Sequence, residues 1–265
     1  MKLINKTKTA ALKVLYPFQS IQTIKYGFLK NYKIQISENS GWSPLFNRWE
    51  PEILYWFSRL IKEKDVVYDL GANNGLHTML ASKLAPQGFV YAFEPMLENA
   101  KEIQTNLSLN SIKNCKIINC AVYDDSSDNI HFKVGKHNKQ GSIDGIGCET
   151  GEELTIKTIS LNDFINQGNQ QPNFIKIDIE GAESKALEGF NKYLPQILPT
   201  MIIDLHTPEQ DEQVGKILLE NGYEVYRILK KRKLFKIKDL TKPYPHPNGI
   251  WGSIIAIHPS KNILL

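Results

Sequence analysis

The chain has 265 residues, of which 42% are hydrophobic and 23% are charged, and this composition is typical of a soluble globular protein. A net charge of +4 does not by itself argue for a nucleic-acid partner. The three cysteines show no CxxC spacing, so we expect neither a disulfide framework nor a zinc site, and we favour a reducing cytoplasm. Because the amino-terminal residues include no long apolar run, we expect no signal peptide and no transmembrane segment.

Residues 1–48 predict a separate, basic and partly helical segment. Seven lysines and no acidic residue precede Glu38, and a second basic cluster occupies residues 230–238. Each cluster could contact an anionic substrate or an anionic membrane surface, although a solvated basic face is the simpler interpretation. Peripheral membrane contact through the basic amino terminus therefore stays open as an alternative.

Residues 49–265 predict one α/β domain. A helix over residues 49–62 is indicated by Pro51 in its first turn and by apolar residues at helical spacing. Strands then alternate with helices, which favours a mostly parallel sheet with helices on both faces. Seven segments fit its strands: "DVVYDL", "GFVYAFE", "CKIINCAV", "NFIKIDI", "PTMIIDLH", "YEVYRI" and "WGSIIAIH". Ligands of such sheets bind outside the carboxyl ends of the strands, so residues at those ends are the candidate site.

The first two strands end in residues that suit an adenosine cofactor. "DLGANNG" follows the first strand, and its Gly71 and Gly75 permit a tight turn and the close approach of a ligand to the backbone. Glu94 ends the second strand, about twenty positions later, where an acid can accept hydrogen bonds from two ribose hydroxyls. Alternatively, the glycines only form the turn and Glu94 only provides a negative charge at the start of a helix.

The type of cofactor is indicated by Asn73. The dinucleotide fingerprint GxGxxG has a glycine at this position, where the backbone approaches a pyrophosphate, and Asn73 disfavours that ligand. S-adenosylmethionine has no phosphate and carries an amino-acid end. We expect Asp69 to face its ammonium group and Asn73 to bind its carboxylate.

Several blocks carry a resemblance to a known family. "VVYDLGANNGLHT", "VYAFEPMLENAKEIQTNLSLN", "FIKIDIEGAE" and "IIDLH" resemble, in the same order, the FkbM family of S-adenosylmethionine-dependent methyltransferases. The resemblance covers roughly residues 48–206. It implies a class I methyltransferase fold, that is, a Rossmann-like, seven-stranded and mostly parallel sheet whose last strand is antiparallel. It also implies methyl transfer, usually to a hydroxyl oxygen of a sugar or a natural product.

The third strand departs from the pattern that would hold an adenine. It ends in "NCAV", without an acid at its tip to bind the adenine amino group. We therefore assign this contact to the backbone at Ala121 and Val122, with Asp124 as an alternative.

Acidic and imidazole groups collect where the fourth and fifth strands end. An alcohol is a poor nucleophile, so a positioned base should accept its proton during methyl transfer. We rank Asp178 first, because it ends the fourth strand, and we add Glu180 and His206 as groups that orient or deprotonate the acceptor. Asp178 could instead be a structural acid paired with Lys176. Glu183 is expected mainly to start the next helix.

We assign no metal ligands, but a hard cation stays open. Mg²⁺ prefers oxygen ligands, and Asp178, Glu180 and Asp204 would supply them. Such an ion would lower the pKa of an acceptor hydroxyl by direct coordination.

The sequence thus predicts an S-adenosylmethionine-dependent O-methyltransferase acting on a sugar, glycan or glycosylated metabolite. Two alternatives are a nicotinamide-dependent oxidoreductase, which Asn73 disfavours, and a non-catalytic scaffold at a membrane surface. A nucleic-acid acceptor is not expected, because the fourth strand carries no NPPY-type tetrapeptide.

Overall fold

A central eight-stranded mixed sheet organises the computed structural model, which describes residues 11–38, 40–134, 141–142, 152–242, 249–250, 252–263 and 265. The strands are β1 (Ile21–Thr23), β2 (Lys33–Gln35), β3 (Val66–Leu70), β4 (Phe89–Phe93), β5 (Cys115–Ile118), β6 (Ala121–Val122), β7 (Ser127–Val134), β8 (Gly141–Ser142), β9 (Glu152–Ile159), β10 (Phe174–Ile177), β11 (Thr200–Leu205), β12 (Glu224–Leu229), β13 (Lys233–Lys236) and β14 (Gly252–Ile257). The helices are α1 (Pro51–Leu60), α2 (Leu76–Leu84), α3 (Leu97–Leu109), α4 (Leu161–Asn166), α5 (Glu183–Glu188), α6 (Leu194–Ile197) and α7 (Pro208–Glu220).

The main sheet has the strand order β13-β12-β14-β11-β10-β3-β4-β5. Strands β11, β10, β3, β4 and β5 are parallel, whereas β14 pairs antiparallel with both β11 and β12. This order confirms the predicted class I methyltransferase-like fold with an antiparallel last strand. One detail differs, since β13 adds an eighth strand at the edge, where the sequence indicated only a basic connection.

Two apolar layers cover the faces of the sheet, because side chains alternate along each strand. Tyr68 and Ile175 belong to the layer that packs against α4, α5 and α7. Val67 and Phe174 belong to the opposite layer, which packs against α1, α2 and α3. Asp69 follows Val67 by two residues and Lys176 follows Phe174 by two residues. Both polar side chains therefore lie on the α1 side of the sheet.

The amino-terminal segment contains a hairpin that the sequence did not indicate. Residues 11–15 are helical and Ser43–Phe46 form a 3-10 helix, but β1 and β2 pair antiparallel between them. Backbone amides of the hairpin donate to side chains of α3 and of the residue that follows it, from Gln35 to Asn106 at 2.9 Å and from Lys33 to Asn110 at 2.7 Å. Ile34 and Ile36 belong to the same apolar layer as α1.

A second, four-stranded sheet has the order β6-β9-β7-β8. It follows β5 and places Phe132 of β7 near the carboxyl end of the main sheet. Among the described residues, no helix is both long and apolar enough to cross a membrane.

Candidate active site

A cavity lies at the carboxyl ends of β3, β4 and β10, where the topology predicts a ligand site. It encloses about 650 Å³ of space that opens to solvent. Six of the residues predicted for the cofactor and the acceptor line it: Gly71, Asn73, Glu94, Ala121, Asp178 and Glu180. Val122 and Phe132 complete the apolar part of the wall.

The loop after β3 brings backbone close to the cavity. Gly71 has φ +76°, and a Cβ built there would lie 2.0 Å from the carbonyl oxygen of Asp178, so only glycine fits. Asn73 also has a positive φ, of 51°. Gly75 has φ +82° and directly precedes α2, packed against Ile103, so its role in the structure is to form the turn.

Glu94 is buried beneath the floor of the cavity and is held by three donors. Its Oε2 accepts from the backbone amide of Asn73 at 2.8 Å. Its Oε1 accepts from the backbone amide of Met96 at 2.9 Å and from the side chain of Asn99 at 3.2 Å. Burial raises the pKa of Glu94 to about 7. Because each carboxylate oxygen can accept two hydrogen bonds, Oε2 keeps capacity for a hydroxyl donor.

A buried lysine joins the first and fourth strands. Lys176 lies opposite Asp69 in the parallel register, and its Nζ is 3.5 Å from Asp69 Oδ1 and 3.3 Å from Asp178 Oδ2. The same ammonium group donates to the carbonyl oxygen of Gly71 at 2.9 Å. Burial opposes this charge, but Asp178 and Asp69 together raise the pKa of Lys176 above its usual value.

Asp69 is therefore oriented by the protein itself. The Thr78 hydroxyl donates to its Oδ2 at 2.6 Å, and the carboxyl group is almost completely buried. It lies beneath the cavity wall, facing Lys176.

His206 is the centre of the acidic cluster at the ends of β10 and β11. Its Nδ1 is 2.9 Å from Glu183 Oε1, and its Nε2 is 3.6 Å from both Asp178 Oδ1 and Glu180 Oε2. Glu183 is fully buried and also accepts from the backbone amide of Gly181 at 3.1 Å. Burial opposes protonation, but the hydrogen bond to Glu183 and the surrounding carboxylates raise the pKa of His206 to about 9.

The carboxylates around His206 differ in their electrostatic environments. Burial tends to raise the pKa of Asp178, yet Lys176 and His206 lower it below its usual range. For Glu180 and Asp204 burial dominates, so their pKa values are raised. Asp178 is therefore the most firmly ionised of the three.

A smaller cavity of about 220 Å³ lies on the other side of Asp178. Its polar wall includes Asp204, Glu50 and His77. Ser253 donates to Asp204 at 2.8 Å, and His77 Nε2 lies 3.2 Å from Glu50 Oε2. Asp178 thus contacts both cavities and separates the predicted cofactor side from a second, acidic cleft.

The acidic cluster fits Mg²⁺ poorly. Ligand atoms of Asp178, Asp204 and His206 lie within 4.8 Å of one another. However, both oxygens of Asp178 already face cationic groups, Lys176 and His206. Mg²⁺ prefers oxygen ligands in octahedral geometry and would have to lie beside the Lys176 ammonium group. The arrangement suits a protonated histidine better than a hard metal ion.

Comparison with known proteins identifies the family. The sequence pattern of the Methyltransferase FkbM domain matches residues 69–232, which is more than half of the chain. The chain belongs to the FkbM methyltransferase family. It is an enzyme of the methyltransferase class, as the resemblance implied, and not an oxidoreductase.

Proteins similar to this chain come from different organisms. Hexuronic acid methyltransferase AglP of Haloferax volcanii is 28% identical over 197 residues, covering 73% of this chain and 77% of the relative. Methyltransferase 1 of Beauveria bassiana is 24% identical over 180 residues, covering 60% of this chain and 72% of the relative. A crystal structure of methyltransferase FkbM from Methylobacillus flagellatus aligns with a TM-score of 0.50 at 18% identity, over 82% of this chain and 52% of that one. This last similarity shows the fold alone, and the chain spans about half the length of that protein.

Sequence reasoning missed three contributors to the FkbM site. Glu183 starts α5, as expected, but it also binds His206, which the sequence did not indicate. Phe132 lines the cavity from the second sheet, and Glu50 reaches the acidic cleft from the residue before α1. Neither carries a local signal, because the tertiary fold alone brings it to the site. By contrast, Asp124, an alternative contact for adenine, pairs with Lys185 at 2.9 Å and does not line the cavity.

Replacing Lys176 with methionine tests the buried ion network. We expect Lys176→Met to lower the free energy of unfolding by about 3–5 kcal/mol, because Asp69 and Asp178 would keep buried charges without their cation. Urea denaturation at neutral pH measures this change. Lys185→Met is the control, since Lys185 forms its salt bridges at the surface and should cost less than about 1 kcal/mol. Equal losses for the two variants would contradict a central role for Lys176.

Proposed function

We propose that this protein transfers the methyl group of S-adenosylmethionine to a hydroxyl group of a sugar, glycan or glycosylated metabolite. The observation that carries the proposal is the position of Asp178, at the boundary between the cavity of Gly71 and Glu94 and the acidic cleft of Asp204. A methyl donor in the first space and an alcohol in the second would meet beside this carboxylate. The name of the relative in Haloferax volcanii, a hexuronic acid methyltransferase, supports a sugar as the acceptor.

The cavity residues fit the proposed cofactor. The lining of the cavity combines apolar side chains with a few polar groups, which is usual for a small-molecule site. Glu94 Oε2 would accept a hydrogen bond from a ribose hydroxyl, and Ala121 and Val122 would contact the adenine. Asn73 and the backbone at Gly71 would bind the amino-acid end, while Asp69 and Gly75 hold this loop in place. The cofactor supplies an electrophilic methyl group on a sulfonium.

His206 is the proposed base, and Glu183 is the residue that positions it. The contact of Glu183 with Nδ1 leaves Nε2 directed towards Asp178 and Glu180. Imidazole must be neutral to accept the acceptor's proton, yet its pKa of about 9 keeps it protonated at neutral pH. A positively charged cofactor in the adjoining cavity would lower this pKa by repulsion. Asp178 and Glu180 would orient the acceptor hydroxyl.

The proposed compartment and division of the chain are those expected from the sequence. We propose the cytoplasm as the compartment, a choice supported by Cys115 and Cys120, both of which are free thiols. We also keep residues 1–48 and 49–265 as the proposed division of the chain. A nucleic-acid acceptor is not proposed, and contact of the basic amino terminus with a membrane remains an alternative.

Cofactor binding should depend on Glu94 and on its ionisation. We expect Glu94→Ala to weaken S-adenosylmethionine binding at least about tenfold, because charge-assisted hydrogen bonds to the ribose would be lost. In the wild type, binding should tighten as the pH rises through about 7, since the ionised carboxylate accepts a stronger, charge-assisted hydrogen bond from a ribose hydroxyl. Isothermal titration calorimetry measures both effects.

Two variants control the Glu94 experiment. Glu98→Ala removes an exposed acid from the first turn of α3 that does not line the cavity, and it should bind normally. Glu94→Gln preserves the shape of the side chain and should remove the pH dependence. Unchanged affinity in Glu94→Ala, or no binding by the wild type at millimolar cofactor, would refute the cofactor assignment.

Methyl transfer should follow the titration of His206. We expect kcat/KM to rise with pH up to the pKa of about 9, because the neutral imidazole is the active form. His206→Asn should remove this rise and lower the rate at least about a hundredfold. Glu183→Gln should move the rise to lower pH, since it removes the negative charge that stabilises the imidazolium.

A second histidine provides the control for the pH profile. His258 is bonded to Ser260 near the end of the chain, so His258→Asn should leave the profile unchanged. If His206→Asn kept the same dependence on pH, the base would have to be another group.

A further inference from the structure

Three consecutive cations form an exposed turn between β12 and β13. Lys230, Lys231 and Arg232, here called the basic turn, are all exposed. Strand β12 is antiparallel to β14, and β14 is antiparallel to β11, so β12 and β11 run in the same direction. The basic turn therefore leaves the sheet at the edge where β11 ends in His206.

The strand register sets the separation between the basic turn and the acidic cleft. Asp204 pairs with Ser253, and the next residue of β14, Ile254, pairs with Arg227 of β12. Ile228 thus lies level with Asp204, two strands away, which is about 10 Å at the usual spacing of strands. The basic turn begins two residues after Ile228. Its long lysine and arginine side chains can therefore reach over the rim of the cleft.

The backbone of the basic turn is strained. Lys231 and Arg232 both have φ +61°, in the left-handed region that favours glycine. Non-glycine residues persist in this region when the surrounding structure imposes it, and they cluster at functional sites. Here α1 provides the restraint, because Glu52 accepts from the backbone amide of Lys231 at 3.2 Å and the Arg232 guanidinium lies 4.6 Å from the centre of the Tyr55 ring.

The charges of the basic turn are not neutralised within the described part of the chain. No carboxylate there forms a salt bridge with Lys230, Lys231 or Arg232, whereas nearby Lys236 pairs with Glu224. The interior of the neighbouring cleft has a net negative charge, since the carboxylates of Glu50, Asp178 and Asp204 outnumber the Lys176 ammonium group in its wall. An acceptor that carries an anion would therefore be oriented, with its anion at the rim and a neutral hydroxyl towards Asp178.

We propose that the basic turn binds an anionic group of the acceptor, a carboxylate or a phosphate carried by the glycan. The group would lie about a disaccharide's length from the hydroxyl that receives the methyl group. This inference rests on the proposed function, because it assumes that the acceptor enters the acidic cleft. It assigns the selection of the acceptor to Lys230, Lys231 and Arg232, and the chemistry to the residues around His206.

Matched neutral and anionic probes test the basic turn by binding alone. The probes are disaccharides with the anion at one end: cellobiouronic acid against cellobiose for a carboxylate, and maltose 1-phosphate against maltose for a phosphate. Isothermal titration calorimetry is run with and without saturating S-adenosylhomocysteine. We expect the wild type to prefer at least one anionic probe over its neutral partner by about tenfold or more, with an affinity that falls as salt is added.

Two triple variants distinguish binding by the basic turn from binding by positive charge elsewhere on the surface. Replacing Lys230, Lys231 and Arg232 together with glutamine should abolish the preference. The matched control replaces Lys62, Lys64 and Lys113 with glutamine, because these exposed lysines precede β3 and β5 at the opposite edge of the sheet. The control should retain the preference in full.

A second variant separates binding from folding. Lys231→Gly combined with Arg232→Gly relieves the backbone strain, so its melting temperature should be unchanged or higher while the anion preference is lost. Equal binding of neutral and anionic probes by the wild type, no binding of any anionic probe, or a full preference in the triple glutamine variant would overturn the proposal. Binding of S-adenosylhomocysteine is scored separately, so a failure of the cofactor assignment is distinguished from a failure of the basic turn.

Discussion

The buried ammonium group of Lys176 is the interaction on which the rest of the site depends. It contacts Asp69 from β3, Asp178 after β10 and the carbonyl oxygen of Gly71 in the loop between β3 and α2. One cation therefore fixes the loop after β3 relative to Asp178, the acid that we propose to face the acceptor. Gly71 packs directly on the carbonyl oxygen of Asp178, so the two loops form one rigid unit. Buried charges need such partners, because an unpaired charge in a sheet of this kind is very costly.

Charge then divides the carboxyl edge of the sheet into zones. The cavity of Glu94 and Asp178 is acidic and suits a cationic methyl donor. The cleft of Glu50 and Asp204 is also acidic, and His206 contacts Asp178, the residue that lines both spaces. The rim beyond β12, by contrast, carries the exposed basic turn. A cationic cofactor and an anionic acceptor group would therefore be attracted to different parts of this edge. The order of their groups along the cleft would then depend on electrostatics as well as on shape.

The fold was largely predictable because its strands have strong local signals. The seven main strands are short apolar segments, and the helix predicted over residues 49–62 contains α1 (Pro51–Leu60). Strand β13 was not predicted, since its two lysines and the basic residues around them suggest a solvated surface. The hairpin of β1 and β2 was missed because side chains of Asn106 and Asn110, about seventy residues away in the chain, bind its backbone.

Most individual residues of the candidate site were predictable, but the contacts between their side chains were not. Gly71, Asn73, Glu94, Asp178 and Glu180 were predicted from their places at strand ends, and they share one cavity. The partnership of Glu183 with His206 joins residues 23 positions apart in sequence. A glutamate in a first helical turn has an ordinary local explanation, so only the tertiary structure shows that it holds an imidazole. The pairing of Lys176 with Asp178 was foreseen as a structural alternative, and it coexists with the position of Asp178 in the cavity.

The most direct test is a crystal structure of the protein with S-adenosylhomocysteine. The account predicts that a ribose hydroxyl binds Glu94 and that the sulfur faces the gap between Asp178 and His206, opposite the acidic cleft. A ligand bound elsewhere, or one whose sulfur points away from Asp178, would contradict the claim that this carboxylate marks the meeting point of donor and acceptor.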